Sequence, residues 1–166
     1  MLFSIIPELK DCDGFEQKNK YHEYDVWEHT KNAIRSSQAD LEIRLALLLH
    51  DIGKPHSYQE DEDGVRHFKG HPQKSAEIAE KILTRLGYEE QQKNNILYLI
   101  ENHATIIDVD RVNKNNLEIT KKLLYVQYCD NMAYAPKYAK KCIKKLDEIK
   151  EKLEEKINKT KEIEER

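Results

Sequence analysis

The apolar residues of this chain recur at the helical period of about 3.6, and three histidines and two aspartates lie on or beside the same stripes. Val26, His29, Thr30 and Ala33 share one face. Ile43, Ala46, Leu47 and His50 share another, with Asp51 beside it. Ile96, Leu99, Ile100 and His103 line up, and Ile119, Leu123, Val126, Asp130 and Ala133 follow the same rhythm. Such stripes face a core, where a carboxylate is costly unless something compensates its charge. The lysines and arginines fall mostly on the opposite faces, so a bound cation is the economical compensation. Each histidine alone reads as a hydrogen-bonded core imidazole, and Asp130 alone as half of a salt bridge. Their convergence in one chain favours a metal site.

The pattern predicts an all-α helical bundle. Asp25 to Ser37 is a helix capped by Asp25, with Glu28 placed to complete a capping box. Asp40 to Ile52 is a second, capped by Asp40 and ended by Gly53-Lys54-Pro55. Pro72 to Leu86 is a third, stopped by Gly87. Glu89 to His103 and Asn116 to Ala135 follow, with Pro136 interrupting the chain. The exception is Gln59 to Lys69, where Asp61-Glu62-Asp63-Gly64 signals a turn and allows a short hairpin. Residues 137–166 form a long, charged Lys/Glu-rich helix with a narrow stripe of Cys142, Leu146, Ile149, Leu153 and Ile157. The expected division is a domain over 1–136 and this helix over 137–166, which packs on the domain or pairs with a second copy to make a homodimer.

Composition narrows the function classes. The 166 residues suit one compact domain. With 28 Lys+Arg against 31 Asp+Glu the net charge is -3, which gives no overall drive towards nucleic acid or membrane. The longest unbroken apolar run, Leu45 to Leu49, is far too short to cross a bilayer. Met1 to Leu9 lacks a basic start and meets Glu8 early, unlike a secretory signal. Cys12, Cys129 and Cys142 are odd in number and read as reduced thiols of a cytoplasmic protein.

The donor types form a coherent set. His29, His50, Asp51 and Asp130 would hold one divalent transition metal ion, and His71 and His103 a second, with Asp51 as bridge. Imidazole suits Mn, Fe, Co, Ni and Zn to differing degrees. One ion neutralises the two carboxylates, whereas two leave a positive centre that attracts phosphate and acidifies bound water towards a pKa of about 7. The expected reaction is attack of metal hydroxide on phosphorus, with Asp51 anchoring the ions. Lys54, one turn after the His-Asp pair, is placed to meet a phosphate oxygen. Arg66, His67 and Lys69, ahead of His71, are candidates for substrate phosphate or for protonating the leaving group. His22 and Tyr21 are candidates to stack on a base. His56 has no assigned role and is expected to be exposed.

The order His29, His50-Asp51, Asp130 resembles the HD (His-Asp) metal-dependent phosphohydrolase superfamily. More specifically, the chain is similar to the HD region of bacterial tRNA nucleotidyltransferases, the CCA-adding and poly(A) polymerase-like enzymes. Pro7-Glu8-Leu9, Tyr21 to Thr30, the run Leu45 to Pro55 (LALLLHDIGKP), Asp63-Gly64, His67 to His71 and Asn102-His103 carry the likeness, over roughly residues 2 to 135. It implies an all-helical HD fold, a divalent metal site, and phosphomonoesterase or phosphodiesterase activity on a nucleotide or a nucleic-acid end. His71 and His103 look like the extra histidines of two-metal HD enzymes. The nucleotidyltransferase head, with its Gly-Ser motif and aspartate pair, has no counterpart here, so nucleotide addition is not expected. The alternatives are a non-catalytic nucleotide- or RNA-binding module and a two-iron oxygenase.

Overall fold

The computed structural model describes residues 1–38 and 40–165. The helices are α1 (Leu2–Ile5), α2 (Val26–Arg35), α3 (Leu41–Leu49), α4 (His71–Arg85), α5 (Glu90–Asn102), α6 (Leu117–Met132) and α7 (Pro136–Glu164). Tight 3-10 turns occupy Pro7–Cys12, Lys54–His56 and Val109–Arg111. The hairpin is present but minimal: β1 (Gln59–Glu60) pairs antiparallel with β2 (Arg66–His67), in the register Gln59 to His67. The all-α class therefore holds. The expected tail end, Arg166, lies outside the described residues.

α3 reads LEIRLALLL and is apolar on most sides, and it sits centrally, packed against α2, α4, α5 and α6. Leu47, Leu49, Ile82, Leu83, Ile96, Leu99 and Ile100 are fully buried around it. Burying side chains of this size is the main force holding the bundle. The stripe of α7 packs on α6 through buried Leu146 and Leu153. Tyr128 donates a 2.6 Å hydrogen bond to Asp147, and Lys156 donates to the carbonyls of Val109 and Asp110.

Several boundaries differ from expectation, each for a local reason. α3 stops at Leu49 rather than Ile52, because the chain there tightens into three-residue turns, with the Ile52 N–H donating to the Leu49 carbonyl at 3.3 Å and the Lys54 N–H to that of Asp51 at 3.0 Å. α4 begins one residue early, at His71, because Gly70 adopts φ 79° and turns the chain into it. α6 ends at Met132 instead of Ala135, and Pro136 opens α7 at its first position, where a missing N–H is harmless. The capping box on α2 is half formed. Asp25 accepts from the Glu28 N–H at 2.7 Å, but the Glu28 carboxylate turns to Lys31 and leaves Gly14 to take the second Asp25 oxygen. The segments α1 and Pro7–Cys12 lie outside the helices that the sequence pattern predicts. They are too short for periodicity to register, yet Ile6, Leu9 and Cys12 are buried.

Candidate metal centre

Four separate segments deliver the histidines to one place. His29 lies in the middle of α2, His50 just past the end of α3, His71 at the start of α4 and His103 just past the end of α5. Asp51 follows His50, and Asp130 comes from α6. Donor atoms of His29, His50, Asp51 and Asp130 lie within 4.8 Å of one another, as do those of Asp51, His71 and His103. Asp51 is common to both sets. All six ligand candidates named from the sequence are thus brought together.

The main chain sets the ring orientations. The Nδ1 atom of His29 lies 3.2 Å from the Ala133 carbonyl, and that of His50 2.6 Å from Leu47. His71 Nδ1 is 2.8 Å from the Phe68 carbonyl, and His103 Nδ1 2.6 Å from Ile100. A carbonyl only accepts, so each Nδ1 carries the proton and each Nε2 presents a lone pair inward. The consequence is a surplus of acceptors. His71 Nε2 faces His103 Nε2 at 3.1 Å, and His29 Nε2 faces Asp130 Oδ1 at 2.8 Å. Both Asp51 oxygens are buried without a hydrogen-bond partner. Paired lone pairs need a proton or a cation between them. Neutral imidazoles with carbonyl-anchored Nδ1–H groups, together with carboxylates, suit a first-row divalent ion. The donor set fits the metal that the sequence implies.

The protonation balance without an ion has the same cause. Burial alone would depress His50, yet the charges of Asp51 and Asp130 raise it to about 10. Burial also opposes ionisation of both carboxylates, but His50 and Lys54 hold Asp51 well below its usual range, and His29 and His50 do so for Asp130. His103 is lowered to about 4 by burial and then by the charge of His50.

Lys54 is buried, with Nζ 2.8 Å from Asp51 Oδ2 but off the hydrogen-bonding angle. Its firm partner is the Gln17 side-chain oxygen, at 2.7 Å. The core therefore does hold one cation, and the site is more positive than the carboxylates alone suggest. With one divalent ion the centre carries a single positive charge rather than none.

A cavity of about 710 Å³ opens over this cluster, bordered by Asp51, His71, His103, Asp130 and Tyr134. Lys54, Arg66, His67, Lys69, His22 and Tyr21 all reach it. Their states differ. His67 is exposed at the rim and meets Asp61 at 2.8 Å, and Lys69 is exposed beside it. Arg66 is clamped: it donates to Glu60 and to the Glu16 carbonyl, and its guanidinium lies 4.6 Å from the Phe15 ring centre and 4.8 Å from Tyr58. It ties the hairpin to the segment before α2. His22 packs edge-on to His29 and Tyr134, its Nδ1 on Asn19 Oδ1 and its buried Nε2 without a partner. Burial, with Lys54 and His29 nearby, lowers His22 to about 2, so its Nε2 is an acceptor. His56 is exposed and pairs with Asp11, away from the cavity.

Two contributors are absent from the set that the sequence suggests. Tyr134 stacks on His29, and its hydroxyl lies 3.4 Å from Asp130 Oδ2. It falls four residues after Asp130, so the face arithmetic that places Asp130 could have found it. Gln17 sits in a turn-rich segment with no periodicity, and nothing local signals its burial.

Comparison with known proteins agrees with this geometry. A sequence profile described as HD domain matches residues 20–135. The A-adding tRNA nucleotidyltransferase of Deinococcus radiodurans is 37% identical over 116 residues, 66% of this chain and 26% of that protein. The CC-adding tRNA nucleotidyltransferase of Thermus thermophilus is 30% identical over 144 residues, 80% of this chain and 33% of that protein. A multifunctional CCA protein of Cupriavidus necator is 29% identical over 109 residues, 63% and 26% of the two chains. This chain spans a quarter to a third of these relatives. Helical bundle, His/Asp cluster and profile coincide, and the chain belongs to the HD domain family.

Proposed function

We propose that this chain is a metal-dependent phosphohydrolase acting on a nucleotide or on the phosphate of a nucleic-acid end. The observation that carries the reading is the surplus of inward lone pairs around Asp51, opposite a cavity with cationic walls. In the overall reaction a water oxygen bonds to phosphorus, the ester P–O bond breaks, and the departing oxygen takes a proton. One or two divalent ions held by His29, His50, Asp51 and Asp130, and by Asp51, His71 and His103, would polarise the phosphate and acidify water.

The protein's own groups do the rest. Lys54, fixed by Gln17, holds a positive charge where a phosphate oxygen gathers negative charge. His67 and Lys69, at the rim, meet further phosphate oxygens or hand a proton to the leaving oxygen. His22 offers an acceptor to a substrate hydroxyl. Arg66 shapes the wall. The names of the relatives, all tRNA nucleotidyltransferases or CCA proteins, support a nucleotide or RNA-end substrate. Among the described residues no helix is long and apolar enough to cross a membrane, and the free thiols suit a reducing cytoplasm.

The test is metal content of anaerobically purified protein, paired with hydrolysis of an aryl phosphate, an aryl phosphodiester, 2′,3′-cyclic nucleotides and nucleoside monophosphates. One or two ions per chain with turnover of a nucleotide is the expected result. Bound metal without turnover of any member would overturn the hydrolase reading. Lys54→Met should lower kcat by about 10²- to 10³-fold, the scale for losing one preorganised charge-stabilising group. Its metal content should stay unchanged. An undiminished kcat would remove Lys54 from the chemistry.

A further inference from the structure

The cavity over the metal centre does not end at its rim. His103, Ala104 and Tyr134 also border a second hollow of about 290 Å³, whose far wall is α7, through Cys142, Lys145 and Ile149. The first third of α7 is unlike the rest. Lys137, Lys140, Lys141, Lys144 and Lys145 fall within residues 137–146, where no acid occurs; the acidic residues of the helix begin at Asp147. All five lysines are exposed. At 100° per residue, Tyr138, Lys141 and Lys145 fall along one shoulder of α7, the shoulder next to the second hollow. Tyr21, which borders the main cavity, meets Tyr138 edge to face at 4.8 Å, with Lys20 Nζ 5.3 Å and 5.8 Å from their ring centres. The whole chain is acidic, so this concentration of positive charge beside the cavity is local.

We infer that this surface is a track for single-stranded nucleic acid leading out of the metal site. A terminal nucleotide occupies the main cavity, and the preceding phosphates run over the second hollow along Lys141 and Lys145. The Tyr21–Tyr138 pair offers a face to an unpaired base. A basic groove combined with aromatic rings is the combination that holds single strands without reading their sequence. Charge complementarity and continuity with a phosphate site both favour this occupant. An acidic protein segment would use the lysines but not the continuity. The inference rests on the proposed phosphohydrolase reading and names its substrate more closely.

The test uses the full chain and a 5′-labelled single-stranded RNA of twelve nucleotides, followed by fluorescence anisotropy over a salt series. Lys141→Ala/Lys145→Ala should bind roughly tenfold more weakly at moderate salt. Its log–log salt slope should be shallower by about 1.4, about 0.7 for each phosphate that a lysine no longer neutralises. With metal loaded, hydrolysis of a mononucleotide should match wild type, whereas kcat/KM for the terminal phosphate of the oligonucleotide should fall. Unchanged RNA binding by the variant overturns the track. So does equal binding of wild type to double-stranded RNA, or to phosphatidylserine vesicles with the same dependence on the two lysines. If wild type hydrolyses neither substrate but binds RNA through these lysines, the hydrolase reading fails and the track stands. If it hydrolyses mononucleotides but the variant binds RNA normally, the reverse holds.

Discussion

Asp51→Ala is expected to remove metal and turnover together. Asp51 is the one residue common to both donor sets, so its loss weakens every ion the site can hold. Removing a mere supporting partner of a metal ligand costs about 10- to 100-fold in affinity, and a shared ligand must cost more. The fold suffers separately, because Lys54 would keep its buried ammonium beside Gln17 and the Phe68 ring but without its carboxylate partner. Losing one member of a buried charge pair typically costs about 3–5 kcal/mol. The measurement is therefore metal per chain and hydrolysis rate, with circular dichroism as the folding control. Asp51→Asn, which keeps the shape, serves where the alanine variant fails to fold. Full metal content and retained turnover in a folded Asn variant would remove Asp51 from the centre of the site.

The second large effect concerns Gly53 and stability rather than chemistry. Its φ is ordinary, so conformational freedom is not the reason for glycine here. Space is. A Cβ at this position would stand 2.5 Å from the Ser75 backbone nitrogen and 2.9 Å from the Lys74 carbonyl carbon. Both neighbours include main chain of α4, which cannot swing aside as a flexible side chain can. The Gly53 N–H also donates to Ser75 Oγ at 2.9 Å, locking the turn after Asp51 onto α4. Gly53→Ala should cost about 3 kcal/mol, the upper end for overpacking. That corresponds to a fall in Tm of about 6–12 °C for a chain of this size. Thermal unfolding checks it, and an unchanged Tm would show that α4 yields freely. Because α4 carries His71, a displaced α4 should also loosen the Asp51–His71–His103 set before the other.

The donor residues are legible because periodicity reports burial directly. A histidine at the i+3 or i+4 position of an apolar stripe must face inward wherever the helix packs, and His29, His50, His103 and Asp130 all do. The helical class is legible for the same reason, as is the stop at Gly87. Lys54 is named from its place one turn after the His-Asp pair, but its burial is not legible, because lysine follows no stripe and that burial depends on Gln17, which is 37 residues away in sequence. Arg66 reads from sequence as free for substrate, but its engagement depends on Glu16, Phe15 and Tyr58 coming together across segments that lack periodicity. Tyr134, four residues past Asp130, is within reach of the same arithmetic, although α6 ends before it at Met132. Local pattern thus identifies the residues that helices position, and misses those that tertiary contacts position.

The bonds from His50 Nδ1 to the Leu47 carbonyl and from His103 Nδ1 to the Ile100 carbonyl have a second meaning. Each imidazole bonds a main-chain acceptor in the last turn of its own helix; the Ile100 carbonyl otherwise receives a long 3.4 Å bond from the His103 N–H. The same ring therefore terminates a helix on one side and offers a ligand on the other. A substitution at either position removes both at once, so drift away from metal binding carries a structural toll even in a lineage that has stopped using the reaction. Descendants of such a chain would keep these histidines longer than His71, whose ring opens a helix rather than closing one.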